Sequence, residues 1–273
     1  MRRGNYKVKL FVGLAIALFA IIKYCGSAET NPYTGKDQHI TLSEEQEIAI
    51  GLQSTPSLKQ QYGGLYPNNN YQAFLDQVGQ KLVINSIAKE TGYQYDFHLL
   101  ADPNTINAFA LPGGQIFITY ALFSKLKNED QLAGVIGHEI GHVVGRHSAD
   151  RMSKQGLTEG LLNGVAVALD PNTAQGAEAI ARIINMKYGR EDELESDDLG
   201  VLFMMNAGYN PQEMIGVMEI LKAASGVKGV PEFQSTHPYP ENRIQKIKEA
   251  INKYKKSLFV VDDLIILFLI FLE

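Results

Sequence analysis

The spacing of apolar positions along the chain changes several times, and each change marks an element. Residues 10–22, "LFVGLAIALFAII", are apolar without interruption. After the polar stretch "NPYTGKDQH", the segment "TLSEEQEIAIG" starts a predicted helix, with Thr41 and Glu44 at capping-box spacing. Tyr71, Phe74, Leu75, Val78 and Leu82 recur every three or four residues and predict a second helix, capped by Asn70. "YQYDFHLL" then alternates, placing Tyr93, Tyr95, Phe97 and Leu99 on one side of a predicted strand. "LPGGQIFITY" reads as a turn and a second strand over 115–120. Helical spacing returns in "LAGVIGHEIGHVVGRH", residues 132–147, on a helix expected to start near Asn128. Further helices are predicted over "AEAIARIINM", over "EDELESDDLGVLFMMNAG" with its stop at Gly208, over "NPQEMIGVMEILKAA" with Asn210 as cap and Pro211 at the first helical position, and over "PENRIQKIKEAINKY". No fixed-period repeat is visible. The pattern predicts an α+β fold, mostly helical, with a small sheet in a single domain over 29–256.

The two ends stand apart from that domain. "MRRGNYKVK" is basic, the thirteen-residue apolar run follows, and small residues come next in "CGSAET". This is the order of a secretory signal, with cleavage expected after Ala28. Thirteen residues fall short of the roughly 20 that a spanning helix needs. Residues 1–28 are therefore read as a signal peptide, with an uncleaved N-terminal anchor as the alternative, and the domain as exported to the periplasm. Lys23 and Tyr24 stand before the sole cysteine, Cys25, where a lipid attachment site needs small residues. Residues 257–273 form an apolar tail interrupted by Asp262 and Asp263, too short to span a bilayer, so packing on the body and membrane contact both stay open.

Composition narrows the function. With 45% apolar and 20% charged residues in 273, the chain can bury a substantial core. A net charge of −5, with no basic stripe beyond the first nine residues, argues against a nucleic-acid partner.

The chemistry concentrates on the helix near 138. His138 and His142 are four residues apart, so their side chains lie about 40° from each other on one helical face and can offer a nitrogen each to one cation. With Glu139 between them, this is H-E-x-x-H, the arrangement of zinc metallopeptidases. Gly134, Gly137, Gly141 and Gly145 form a side-chain-free stripe on the same helix. Each costs about 1 kcal/mol relative to alanine, so a closely approaching element must offset them.

A catalytic zinc needs a third protein ligand. An extended pattern with a third histidine would require it at 148, which is Ser148, whereas His147 would point about 100° away on a continuous helix. His147 is thus read as a packing or hydrogen-bonding residue. The alternative is a carboxylate from "EDELESDD", whose plain reading is a solvated acidic helix start. Glu193 is preferred over Glu195, because Asp197 lies one turn beyond Glu193 and can accept a hydrogen bond from a ligating imidazole's far nitrogen.

Taken in order, "NAFALPGGQIFI", "NEDQLAGVIGHEIGHVVGRH", "ELESD" and "STHPYPENR" resemble the gluzincin metallopeptidase family that includes HtpX, BepA-type proteases and CaaX prenyl proteases. The resemblance covers roughly residues 41–250, and the soluble, exported BepA-like branch fits best. It implies His138, His142 and Glu193 as zinc ligands, with Asp197 behind them. The family's H-P-x-x-x-x-R pattern falls on His237 to Arg243 and implies a histidine near the zinc, as oxyanion stabiliser or fourth ligand, with Arg243 in support. The expected activity is zinc-dependent endoproteolysis with Glu139 as general base. Gln115, Ile116, Phe117 and Ile118 are expected to pair with an extended polypeptide substrate by strand addition, which suits unfolded chains and protein quality control in the cell envelope. The alternative is a zinc-containing chaperone or assembly factor, its metal site closed by His237 and mainly structural.

Overall fold

Capping side chains set the starts of several helices. The structure, a computed structural model of the chain, describes residues 5–169, 188–228, 233, 237 and 242–270. Helix α1 (Asn5–Cys25) leads into an antiparallel pair, β1 (Ala28–Thr30) and β2 (Asp37–His39), within the stretch expected to be an irregular linker. Helix α2 (Glu44–Gln61) is capped two residues later than expected: Ser43 and Gln46 form the capping box, while Thr41 bonds to Ser153. Asn68 rather than Asn70 caps α3 (Asn69–Ile84), accepting from the Asn70 and Tyr71 N–H groups. After a 3₁₀ turn (Ile87–Glu90) come β3 (Asp96–Leu100), β4 (Ala108–Ala110), β5 (Gln115–Thr119) and the short α4 (Tyr120–Phe123). Asn128 caps α5 (Glu129–Val144), and α6 (His147–Leu169) follows directly. The acidic segment forms α7 (Arg190–Asn206), closed by Gly208 at φ +76°. Last come α8 (Glu213–Lys228) and α9 (Arg243–Ile270), whose backbone stays helical through most of the apolar tail. The helix predicted within "AEAIARIINM" lies outside the described residues.

The sheet corrects one expectation. Its order is β3-β5-β4, with β5 parallel to β3 and antiparallel to β4. Gln115, Ile116, Phe117 and Ile118 therefore lie on the central strand, hydrogen-bonded on both sides and buried throughout, and cannot take up a substrate strand. The outer edge of β3 is also closed. Gln72 caps it at both ends of its amide, accepting from the Leu99 N–H at 3.0 Å and donating to the Phe97 carbonyl at 2.8 Å, and the Tyr66 N–H donates to the Leu99 carbonyl. Among the described residues the other outer strand of this sheet is β4, whose Ala108 and Ala110 are themselves buried.

One face of the sheet, through Phe97, Leu99, Ile116 and Ile118, packs with Leu75, Val78 and Leu82 of α3 and Leu132, Ile136 and Ile140 of α5. The predicted alternation from Tyr93 to Leu99 faces this core. The other face carries a smaller cluster around Leu58, Tyr62 and Phe117. Helix α1 lies along α6, close enough that a Cβ on Gly160 would overlap the Ala20 side chain. Its outer faces stay open, with Phe11 and Phe19 74% and 69% exposed.

The glycine stripe of α5 faces α7 and α8. Gly137 lies against Gly200, and a Cβ on Gly141 would sit 2.9 Å from the Ser196 carbonyl oxygen and 3.0 Å from its Cα. Rigid backbone cannot yield there cheaply. Gly141→Ala is expected to cost about 1–3 kcal/mol. Gly156→Ala on α6, where the added methyl meets nothing within 4 Å, should gain up to about 1 kcal/mol. Urea unfolding of the two variants checks both signs.

Candidate metal centre

Helix α5 is buried from Gln131 to Val144, so its two histidines present their rings inside the protein. His138 Nε2 and His142 Nε2 are 3.1 Å apart. From α7, Glu193 brings Oε2 to 3.5 Å from His138 Nε2 and Oε1 to 3.4 Å from His142 Nε2. His237 adds Nδ1, 3.0 Å from Glu193 Oε1 and 3.4 Å from His138 Nε2. All four residues are buried, and the donor atoms lie within 4.8 Å of one another.

These separations test the fit of a cation. Nitrogen and oxygen donors about 2.0–2.1 Å from a tetrahedral centre stand about 3.3–3.4 Å from each other, and the five separations above run from 3.0 to 3.5 Å. Glu193 is fully buried and its carboxylate faces the three imidazoles, with Arg243 Nη1 3.0 Å from Oε2 on its other side. The donor set fits a metal ion.

The electrostatics put His142 and Glu193 in their donor forms, whereas His138 must release a proton to bind a metal. Burial and the Arg243 charge push the His138 imidazole towards neutrality, but hydrogen bonds to Asp197 and Glu193 outweigh them and hold its pKa up at about 9. Burial holds the His142 pKa well below its usual value, which leaves that ring neutral. Burial raises the Glu193 pKa, yet the neighbouring His237 and Arg243 charges dominate and keep it well below the usual range, so Glu193 is a carboxylate.

Behind the donors, Asp197 Oδ1 lies 2.9 Å from His138 Nδ1. Arg243 grips Asp197 with both ends of its fork, Nε donating to Oδ2 at 2.6 Å and Nη2 to Oδ1 at 2.9 Å, and its Nη1 stands 3.0 Å from Glu193 Oε2. Arg243 is fully buried behind the ligand pair, where it positions acids. Glu139 is also fully buried, with neither carboxyl oxygen hydrogen-bonded, and burial raises its pKa. Its nearest ionic neighbour is His237, whose Nε2 is 3.8 Å from Oε1.

The structure thus brings His138, Glu139, His142, Glu193, Asp197, His237 and Arg243 together and leaves Gln115, Ile116, Phe117 and Ile118 inside the sheet. Two aromatic residues escaped the sequence reading. Tyr188 stacks on His142 with ring centroids 3.9 Å apart, and Phe233 stacks on His237 at 4.5 Å. Both stand alone in polar segments, where periodicity offers no signal; only their nearness in sequence to the acidic helix and to His237 pointed their way.

A helix pair carrying two imidazoles and a carboxylate, set on a mostly helical α+β frame, defines the zincin-like class of metallopeptidase folds. Residues 69–251 match the model of peptidase family M48, and the chain belongs to that family. It is 29% identical over 246 residues to the beta-barrel assembly-enhancing protease of Escherichia coli (strain K12), across 85% of this chain and 49% of that protein. It is 32% identical over 167 residues to mitochondrial metalloendopeptidase OMA1 of Schizosaccharomyces pombe (61% of this chain, 49% of that one), and 29% over 243 residues to its namesake in Saccharomyces cerevisiae (81% and 68%). The chain spans about half the length of the first two relatives.

Glu193→Ala is expected to lose most of its bound metal, since two histidines on one helix make a weak site. Asp197→Asn should weaken affinity by roughly 10- to 100-fold, because the far nitrogen of His138 loses its anionic acceptor. Elemental analysis and competition titration of the purified variants check this order.

Proposed function

We propose that this chain is a zinc-dependent endopeptidase that cleaves unfolded or misassembled polypeptides in the cell envelope. The observation that carries the reading is a buried carboxylate without a hydrogen-bond partner, Glu139, beside a four-donor cluster. Held by His138, His142 and Glu193, zinc would supply Lewis acidity, lowering the pKa of water and polarising a peptide carbonyl. Glu139 takes the proton of the attacking water on a carboxyl oxygen and returns it to the leaving amine; its raised proton affinity suits both transfers. Asp197, held by Arg243, keeps His138 Nδ1 occupied so that Nε2 faces the cluster. His237, with Nε2 free of hydrogen bonds, either steadies the oxyanion or holds the fourth donor position.

The substrate strand is assigned to β4. Leu111 and Asn107 bond inward to β5, through the Leu111 N–H to the Gln115 carbonyl and the Asn107 carbonyl to the Thr119 N–H. By alternation the backbone groups of Ala108 and Ala110 face outward. The Phe233 N–H already donates to the Ile106 carbonyl, so that edge leads towards the segment carrying His237. Ala108 and Ala110 are buried, so an extended, loosely folded chain would pair there only once that edge is uncovered; such a substrate fits relatives whose names couple proteolysis to β-barrel assembly or denote a metalloendopeptidase.

A place at the membrane follows from α1. Tyr6–Cys25 is long and apolar enough to cross a bilayer, since 20 residues rise about 30 Å. Its seat on α6 and its exposed Phe11 and Phe19 favour a retained anchor over a removed signal.

The second reading, a chaperone or assembly factor with a structural metal, is favoured by His237 Nδ1 closing the fourth corner of the cluster. Two variants separate them. Glu139→Gln is expected to lower casein degradation by about 10²–10⁴-fold with metal content unchanged. His237→Ala should change turnover while the protein keeps its metal and fold. Loss of metal and cooperative unfolding in His237→Ala, with no chelator-sensitive proteolysis in the unaltered chain, would establish the structural site instead.

A further inference from the structure

The second ligand histidine has a partner of its own, reached through a break in the helix. Helix α5 ends at Val144, Gly145 caps it, and Arg146 takes φ +54°, the left-handed region that a residue with a Cβ seldom adopts. Arg146 is held there by Glu47 and Glu29 and by the Leu42 carbonyl, all of which its guanidinium contacts. The chain restarts as α6 at His147, whose ring folds back over Gly145: a Cβ on that glycine would lie under 3 Å from three ring atoms. Gly145 is therefore a seat for a side chain, and the 100° offset of a continuous helix does not apply.

In this position His147 Nδ1 stands 2.9 Å from His142 Nδ1 and its Nε2 stands 3.0 Å from Glu195 Oε2. The Ser196 hydroxyl is 3.2 Å from His147 Nδ1, and Lys36 Nζ holds Glu195 Oε2 at 2.9 Å. A carboxylate can only accept, so the proton of a neutral His147 ring sits on Nε2 and its Nδ1 is bare. Two facing Nδ1 atoms then need one proton between them, and it belongs to His142. With Nδ1–H donated to His147, His142 has its lone pair on Nε2, facing the cluster.

We propose that His147 and Glu195 are a positioning pair that fixes the tautomer and orientation of His142, as Asp197 does for His138. The two ligand imidazoles are thus served asymmetrically, one by an acid directly and one by an acid through a second imidazole. This inference rests on the reading of His138, His142 and Glu193 as metal donors, and its test keeps the two apart.

Zinc dissociation constants are measured for the full chain by competition with a chromophoric chelator. Glu193→Ala tests the donor set: if it binds zinc like the unaltered chain, that reading fails, and this inference with it. Given loss of binding there, His147→Leu is expected to weaken zinc affinity roughly 10- to 100-fold, whereas His147→Asn, which returns an acceptor near the place of Nδ1, should stay within about threefold. Equal affinity in His147→Leu and the unaltered chain overturns the proposal, as does equal weakening in the Leu and Asn variants, which would make His147 a packing residue. Should His147→Leu fail to fold, long-range proton–nitrogen spectra of the metal-free protein decide. They are expected to place the His142 proton on Nδ1 in the unaltered chain and to show mixed tautomers in Glu195→Gln; an Nε2–H tautomer in the unaltered chain refutes the assignment.

Discussion

The crossing of α5 over α7 is the contact on which the site depends. A carboxylate on one helix reaches two imidazoles on another only if the backbones nearly touch. Here Gly137 meets Gly200 and Gly141 meets the backbone of Ser196, with no room for a methyl group at the second contact. That proximity sets Glu193 beside both Nε2 atoms and Asp197 behind His138. Each glycine weakens its helix by about 1 kcal/mol, and the cost is accepted along the line where the helices meet. Glu193 also falls in the first turn of α7, where the helix dipole favours an anion.

Such a centre is expensive to bury. Glu193, Asp197, Glu139 and Arg243 are all removed from water, and without a metal the two carboxylates Asp197 and Glu193 lean on Arg243 and on a proton held by His138. Buried charge costs several kcal/mol per ion unless compensated. A cation in the donor cluster would take over the place of that proton, which would tie metal binding to the stability of the helix crossing as well as to catalysis.

Legibility in the sequence followed the range of the forces involved. The glycine stripe, the H-E-x-x-H spacing and the Glu193–Asp197 turn are relations within one helix, so periodicity exposed them. The alternation from Tyr93 to Leu99 was readable because one face of β3 meets the main core. Strand order was not readable: β4 spans three residues inside "NAFALPGG", too short to alternate, and nothing local says that it flanks β5. Cap positions slipped by two residues where several capable side chains adjoin, Ser43 after Thr41 and Asn68 before Asn70. The partnership of His147 was hidden for a different reason. It hangs on the left-handed conformation of Arg146, which is imposed by Glu47 about a hundred positions earlier in the chain, and a helical wheel drawn through residue 146 has no term for it.

The closed cluster bears on how such a centre could act on a chain at all. His138, His142 and Glu193 come from two helices locked by the glycine crossing, and their acids or imidazole partners are locked with them. His237 is held differently: its backbone N–H bonds to Phe233, and Phe233 in turn stacks on its ring and bonds to the Ile106 carbonyl at the head of the β4 edge. One short segment thus occupies both the fourth donor position and the first rung of the edge proposed for substrate. A polypeptide pairing along β4 as proposed would compete with Phe233 for the Ile106 carbonyl, and Phe233 is bonded to and stacked on His237. Substrate can bias the equilibrium only by what it gains on the edge beyond what Phe233 and His237 lose. An extended backbone would offer that edge more than one rung, and on the proposed reading this is what would favour unfolded chains over most folded surfaces.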